Sequence, residues 1–219
     1  MEQKESLNEL AYKHVFNGIL EGKYRPGKFL NIDNISEHLR ISKTPIREAL
    51  LELEGEGLVK RNGRSYYIFS PSKKDIIDLY QVRRILEAEA AYLSAIAPAP
   101  SFLSNLGEII TAIERLSKKE NPDPIVFADL SGKFHSEICV STGNELLAKI
   151  VDDIRLRLKI VRVTSFSSFN RRTEDLAEHR SVFLAIKEKN PSLAKELMLD
   201  HQTKVIEYVK RELIMQFYD

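Results

Sequence analysis

Three histidines stand on three separate stretches of helical periodicity: His135 after Phe134, His179 after Glu178, and His201 after Met198-Leu199-Asp200. Imidazoles held on different helices and turned into a bundle core are a common way to bind a divalent transition metal, zinc or nickel foremost. Taken singly, each histidine reads equally well as a capping, surface or hydrogen-bonded core residue, and spacing alone does not bring sequence-distant ligands together. Cys139, the single cysteine, lies four residues after His135 and nearly shares its face. A thiolate there would add a ligand, but one cysteine in an apolar stretch reads more simply as a small buried hydrophobe. Arg83 and Glu87 lie one helical turn apart. They form either an ion pair or an arginine fork left free for a ligand carboxylate.

A second group of residues points to nucleic acid. In Ile41-Ser42-Lys43-Thr44-Pro45-Ile46-Arg47-Glu48-Ala49-Leu50, the residues Ile46 and Leu50, continued by Leu53, make one buried stripe of a helix. Pro45 suits a first helical position, and Thr44 before it can cap. Lys43 and Arg47, four apart on another face, can meet phosphate oxygens or guanine edges. Gathering cations at the N-terminal end of an amphipathic helix is what insertion into the major groove requires. The plainer reading is a solvated charged face. The flanks favour the first: Leu10 to Leu20 has helical spacing, and Asp33 to Leu39 reads as a short helix capped by Asp33. The runs Leu58-Val59-Lys60-Arg61 and Tyr66-Tyr67-Ile68-Phe69 then read as strands around an Asn62-Gly63 turn. Arg61 and Arg64 on that wing are candidate phosphate or minor-groove contacts.

The elements that position these residues divide the chain. Residues 1–70 read as a winged helix-turn-helix, 71–74 as a linker in which Ser72 can cap, and 75–219 as an all-helical domain. In that domain Ile76, Leu79, Val82, Leu86, Ala90 and Leu93 mark a first helix. Further helices run from about Ser101 to Lys118, Ile125 to Val140, Glu145 to Thr164, Arg172 to Lys189 and Pro191 to Met215, with a polar patch from Ser165 to Asn170. The expected fold is mostly α: an N-terminal winged helix-turn-helix with a small β-hairpin wing, then an antiparallel bundle of six or seven helices. Of 219 residues, 43% are hydrophobic and 30% charged, enough for a true core and a polar surface. Net charge is only +1, and the first 70 residues hold 11 Lys/Arg against 10 Asp/Glu, so non-specific DNA affinity should be modest. One cysteine excludes an intrachain disulfide. No apolar run is long enough to span a membrane, and Met1-Glu2-Gln3-Lys4-Glu5 is not a signal peptide. A cytoplasmic location is expected.

The segments Ile19-Leu20-Glu21-Gly22-Lys23-Tyr24-Arg25-Pro26-Gly27, Leu30-Asn31, Ser42 to Leu50 and Leu53-Glu54-Gly55-Glu56-Gly57-Leu58-Val59 resemble the GntR family of bacterial transcription regulators. Two positions depart from the family, which often has arginine where this chain has Asp33 and usually has it where this chain has Lys43. Lysine lacks the bidentate fork, so Arg47 is the safer base reader. The helical part resembles the FCD effector domain of the FadR/VanR-type branch, through Val82-Arg83-Arg84-Ile85-Leu86-Glu87, Phe134-His135 with Gly143-Asn144, Glu178-His179-Arg180, and Met198-Leu199-Asp200-His201.

The resemblance implies a homodimeric, DNA-binding transcription regulator that contacts operator DNA through Lys43, Thr44, Arg47, Arg61 and Arg64. It implies a metal on His135, His179 and His201, and a small carboxylate effector near Arg83 and position 131. In the family an aspartate four residues before the first histidine completes the site. Here that residue is Ser131, while Asp129 lies about 120° round the helix. Two other readings stand beside this one. The bundle serves dimerisation alone, without ligand, or the histidines form a metal hydrolase. The hydrolase lacks a His-Glu-x-x-His cluster or another evident base, since Glu178 points about 100° away from His179.

Overall fold

Ser6 opens the first helix by accepting the Glu9 amide on its hydroxyl at 3.1 Å, so α1 runs Leu7–Leu20 with Ala11, Val15 and Ile19 buried at fourfold spacing. The computed structural model describes residues 6–21, 23–159, 161 and 168–213. The chain divides into two compact units, Met1–Pro71 and Ser72–Asp219.

In the first unit, α1 packs on α3 (Lys43–Gly55), whose buried residues are Ile46, Ala49, Leu50 and Leu53. Between them lie a two-residue strand, β1 (Phe29–Leu30), and α2 (Ile32–Leu39). The hairpin β2 (Val59–Asn62) and β3 (Ser65–Ile68) follows, and the sheet order is β1-β3-β2, antiparallel throughout. Three local expectations change. Asn31, not Asp33, caps α2, because its side-chain oxygen reaches the amides of both Asp33 and Asn34. Ser42, not Thr44, occupies the cap position of α3. That puts Pro45 third in the helix, where its missing amide is still one of the four that lack intrahelical partners. In the wing, Asn62 pairs with Ser65, so Gly63 and Arg64 form the two-residue loop. Gly63 takes φ +60 at its first position, the pattern of a II′ turn rather than the I′ turn that Asn-Gly suggests. β1 was not expected; two residues give too short an alternation to read.

In the second unit, Ser72 and Asp75 form a reciprocal capping box that starts α4 (Lys73–Ile96). Pro100 and Pro124 sit in the first turns of α5 (Pro100–Ser117) and α6 (Pro124–Ser141), and Asp123 caps α6. Asn144, Ser168 and Asn190 cap α7 (Glu145–Arg157), α8 (Phe169–Lys187) and α9 (Pro191–Tyr208). A π-helical turn, Val209–Leu213, continues α9. Among the described residues the unit therefore holds six α-helices. The expected continuation of α7 to about Thr164, most of the polar patch, and the chain beyond Leu213 lie outside them. The core joins Ile76 and Tyr80 of α4 to Ile154, Leu158, Val161, Ile206 and Val209.

The face of α4 that is buried is not the one its apolar residues suggest. Arg83 and Glu87 are buried with Ile76, Tyr80, Ala88, Ala91 and Ala95, while Val82, Ile85, Leu93 and Ile96 are exposed in this unit. An interior that accepts two charges at the expense of four large aliphatic side chains needs a reason. The centre of the bundle supplies one.

Candidate metal centre and nucleic-acid interface

His135, on α6, is flanked on its inner face by Phe127, Ala128, Ser131, Phe134 and Ile138, all buried. His179 enters from α8 and stacks on the Phe134 ring at 4.3 Å, and His201 enters from α9. The three rings sit with centroids 4.9 to 5.1 Å apart. One nitrogen of each lies within 4.8 Å of the other two, and the Nε2 atoms of His135 and His179 are 3.1 Å apart.

Each imidazole also has a carboxylate at its Nδ1. Glu87 of α4 lies 2.9 Å from His135 Nδ1, Asp175 lies 3.4 Å from His179 Nδ1, and Glu178 is hydrogen-bonded to His201 Nδ1 at 2.7 Å. An ionised carboxylate can only accept, so these neighbours favour the proton on Nδ1, by a hydrogen bond at His201 and by proximity alone at His135 and His179, whose Nδ1 atoms make no hydrogen bond. The other tautomer of His179 would donate to His135 Nε2, but it would leave the bare Nδ1 facing the Asp175 oxygens. A 3.1 Å separation suits an N–H···N hydrogen bond between the two rings in the one tautomer, and two lone pairs shared by one cation in the other. Two nitrogens bound to one tetrahedral zinc at about 2.0–2.1 Å would be about 3.3–3.4 Å apart, close to what is found here. The donor set therefore fits a divalent transition metal.

Arginines fix the carboxylates in turn. Arg83 holds Glu87 through Nε at 2.7 Å and a second nitrogen at 3.3 Å, and Gln202 donates its amide to the same Glu87. Arg171 bridges Asp175 at 3.4 Å and Glu178 at 3.0 Å. Burial pushes the Glu87 carboxyl up, but Arg83, then His135 and Arg155, hold it well below the usual carboxylate range. Burial pushes His135 and His179 well below the ordinary histidine range, so both imidazoles are neutral, as ligands must be. For Glu178, burial acts upward while His201 and Arg171 win and lower it.

Of the residues singled out from sequence, the three histidines come together. Arg83 is committed to Glu87, the ion-pair alternative. Ser131 is buried on α6 one turn before His135. Asp129 points away and pairs with Lys159 at 2.9 Å. Cys139 is buried, and burial pushes its thiol far above the ordinary range, which suits a small hydrophobe and not a thiolate. Sequence reasoning missed the roles of Glu87, Asp175, Arg171 and Gln202. Asp175 was legible in principle, four residues before His179. The pairs Glu87–His135 and Glu178–His201 cross between helices and left no local signal.

On the first unit, Lys43, Thr44 and Arg47 are exposed along the first turns of α3, and Arg61 and Arg64 are exposed on the hairpin. Lys43 is ion-paired with Asp33 of α2, and Arg61 Nε lies 3.6 Å from Glu54 Oε2. Among the described residues, no carboxylate lies within ion-pair distance of Arg47 or Arg64.

Two family models match the chain. The model described as "Bacterial regulatory proteins, gntR family" covers residues 7–66, and the "FCD domain" model covers residues 78–204, more than half of the chain. The chain belongs to the FCD branch of the GntR regulators. It is 27% identical over 203 residues to the uncharacterized HTH-type transcriptional regulator YdhC of Bacillus subtilis, spanning 92% of this chain and 90% of that one. It is 23% identical over 210 residues to the HTH-type transcriptional repressor RspR of Escherichia coli, spanning 94% and 90%. Among solved structures, E. coli McbR/YncC superposes with a TM-score of 0.76 at 19% identity, over 98% of this chain and 99% of that one. At that identity the likeness speaks for the fold. This GntR regulator is a DNA-binding transcription factor and not an enzyme. No helix among its described residues is long and apolar enough to cross a membrane.

Proposed function

We propose that this GntR regulator is a cytoplasmic repressor that binds operator DNA as a homodimer and changes its affinity when a small organic acid enters the helical unit. A relative named as a repressor supports the sign of regulation. The observation that carries the effector part is the cluster of three imidazoles, each with a carboxylate at its outer nitrogen. His135, His179 and His201 hold a divalent transition metal, zinc or nickel, and Glu87, Asp175 and Glu178 orient them. Because Ser131 is neutral, no ligating side chain carries charge, and the bound ion supplies an uncompensated positive charge for a carboxylate. Ser131 offers its hydroxyl to the effector. Arg83 acts one step back by fixing Glu87. Coupling of about 1–3 kcal/mol between this centre and the reading heads is enough for regulation.

Lys43, Thr44 and Arg47 enter the major groove, and Arg61 and Arg64 of the wing meet phosphate or the minor groove. Val82, Ile85, Leu93 and Ile96 recur at steps of three and eight residues, which keeps them on one exposed face of α4. A second copy covers that stripe.

Elemental analysis of purified protein, with His179→Ala beside it, tests the centre. Near-stoichiometric metal in the parent and its loss in the variant are expected. A metal-free parent after growth with added zinc and nickel overturns the metal. A panel of small carboxylates is then screened by thermal shift, with and without chelator. Stabilisation only of the loaded protein is expected, and no stabilisation by any acid favours a bundle that only dimerises.

A further inference from the structure

The ion pair between Lys43 and Asp33 joins the first residue of α3 to the first turn of α2. In a helix-turn-helix these two places have different duties. The N-terminal residues of the second helix meet base edges, while the first helix crosses the phosphate backbone. A helix N-terminus attracts an anion, and at α2 the protein has placed its own. Asp33 is two-thirds exposed and Lys43 about half, so the pair lies on the surface open to DNA rather than in the core. The same arrangement recurs on the wing, where Arg61 faces Glu54 at 3.6 Å. Arg47 and Arg64 carry no such partner among the described residues. The cations offered to DNA thus fall into two pairs, one free and one already compensated.

We infer that Asp33 is a specificity-setting residue that acts through Lys43. In the free protein it stands in for a DNA phosphate, so Lys43 gives up one counter-ion to take another when it meets a random duplex and contributes almost nothing there. Lys43 is released only where a base edge, most simply a guanine with its N7 and O6 acceptors, rewards leaving Asp33. The pair removes Lys43 from non-specific binding and keeps it for sequence reading. This agrees with a DNA-binding unit whose first 70 residues carry 11 cationic against 10 acidic side chains. The inference rests on α3 being the reading helix, and the test separates the two.

Salt dependence reads the effect directly, because each phosphate neutralised by a side chain adds about 0.9 to the slope of log K against log salt. The probes are a mixed-sequence 40-base-pair duplex and the duplexes enriched by the parent from a randomised pool, followed by fluorescence anisotropy on the full chain. Asp33→Asn keeps the side-chain shape and removes the charge. It should steepen the mixed-duplex slope by about two per dimer and tighten that binding by up to about fivefold per head, the ceiling for an exposed pair. Lys43→Gln alone should leave mixed-duplex binding near the parent's while weakening the enriched duplexes. The Asp33→Asn/Lys43→Gln double variant should return to the parent's slope. An unchanged slope in Asp33→Asn overturns the inference. So does a gain that survives in the double variant, since Asp33 would then only repel DNA itself. Arg47→Ala is the control for the reading beneath: if it binds the enriched duplexes as the parent does, α3 is not the reading helix and both fail. Circular dichroism on each variant confirms that folding is intact.

Discussion

Replacing Glu87 with glutamine should separate the two duties of the bundle's central carboxylate. Glu87 is fully buried, takes both nitrogens of the Arg83 fork at 2.7 and 3.3 Å, accepts the Gln202 amide, and lies 2.9 Å from His135 Nδ1. Glutamine keeps the volume but leaves the buried Arg83 charge uncompensated, which costs about 3–5 kcal/mol. A protein of this size holds about 5–15 kcal/mol in total, and about 2–4 °C of Tm goes with each kcal/mol. The variant should therefore melt about 6–20 °C lower in chelator. His135 also loses the acceptor that orients it, so metal affinity should fall about 10–100-fold. An Arg83→Met/Glu87→Gln double variant removes the stranded charge and should recover most of the stability, yet its metal affinity should stay low. Calorimetry in chelator gives the first number, and competition against a chelating dye gives the second. If Glu87→Gln lies within about 1 kcal/mol of the parent, or the double variant is no more stable than the single, Glu87 is not the counter-ion described here. If affinity does not move, it does not orient the histidine.

Three further outcomes follow from the same geometry. Ser131→Asp buries a carboxylate with no cation beside it in chelator but with one when metal is present, so the Tm difference between the two conditions should widen; an equal difference means position 131 does not face the metal. Arg47→Ala should weaken binding to enriched duplexes by about 1–3 kcal/mol and relax preference at one base pair, measured by anisotropy and by repeating the selection; a uniform loss across all sequences would make Arg47 a phosphate contact instead. Ile85→Asp, in the middle of the exposed α4 stripe, should turn a dimer into a monomer by light scattering with little change in Tm, and a dimer that persists places the interface elsewhere.

Much of this arrangement was legible because it is periodic or local. Ile46, Leu50 and Leu53 marked the buried stripe of α3, and Ser72 was readable as the cap of α4, though its reciprocal partner Asp75 was not singled out. Caps failed where several candidates crowd together. Asn31 and Asp33 both could serve α2, and only the backbone path shows which oxygen reaches the open amides. The apolar stripe of α4 was visible, but periodicity does not say which of two faces turns inward. It misled because the interior face carries Arg83 and Glu87, and Val82, Ile85, Leu93 and Ile96 face out. The histidines could be named but not joined, since their meeting depends on how α6, α8 and α9 pack. The carboxylates behind them were hidden for the same reason, apart from Asp175.

The interior charges weigh against a bundle that only dimerises. Arg83, Glu87, Arg171 and Asp175 are all buried around three buried histidines. Each must be taken out of water, and a buried ion pair often does no better for stability than apolar side chains of the same volume. A helical core that had only to present a dimer face could fill this space with leucine and isoleucine, of which α4 already carries several on its outer side. The polar network also opposes close packing, since each member must be satisfied or it destabilises the whole. What the network does achieve is to hold three buried imidazoles together with one nitrogen of each converging and a carboxylate near each outer nitrogen. That is of no use to a structural bundle and supports the cation-binding reading proposed above.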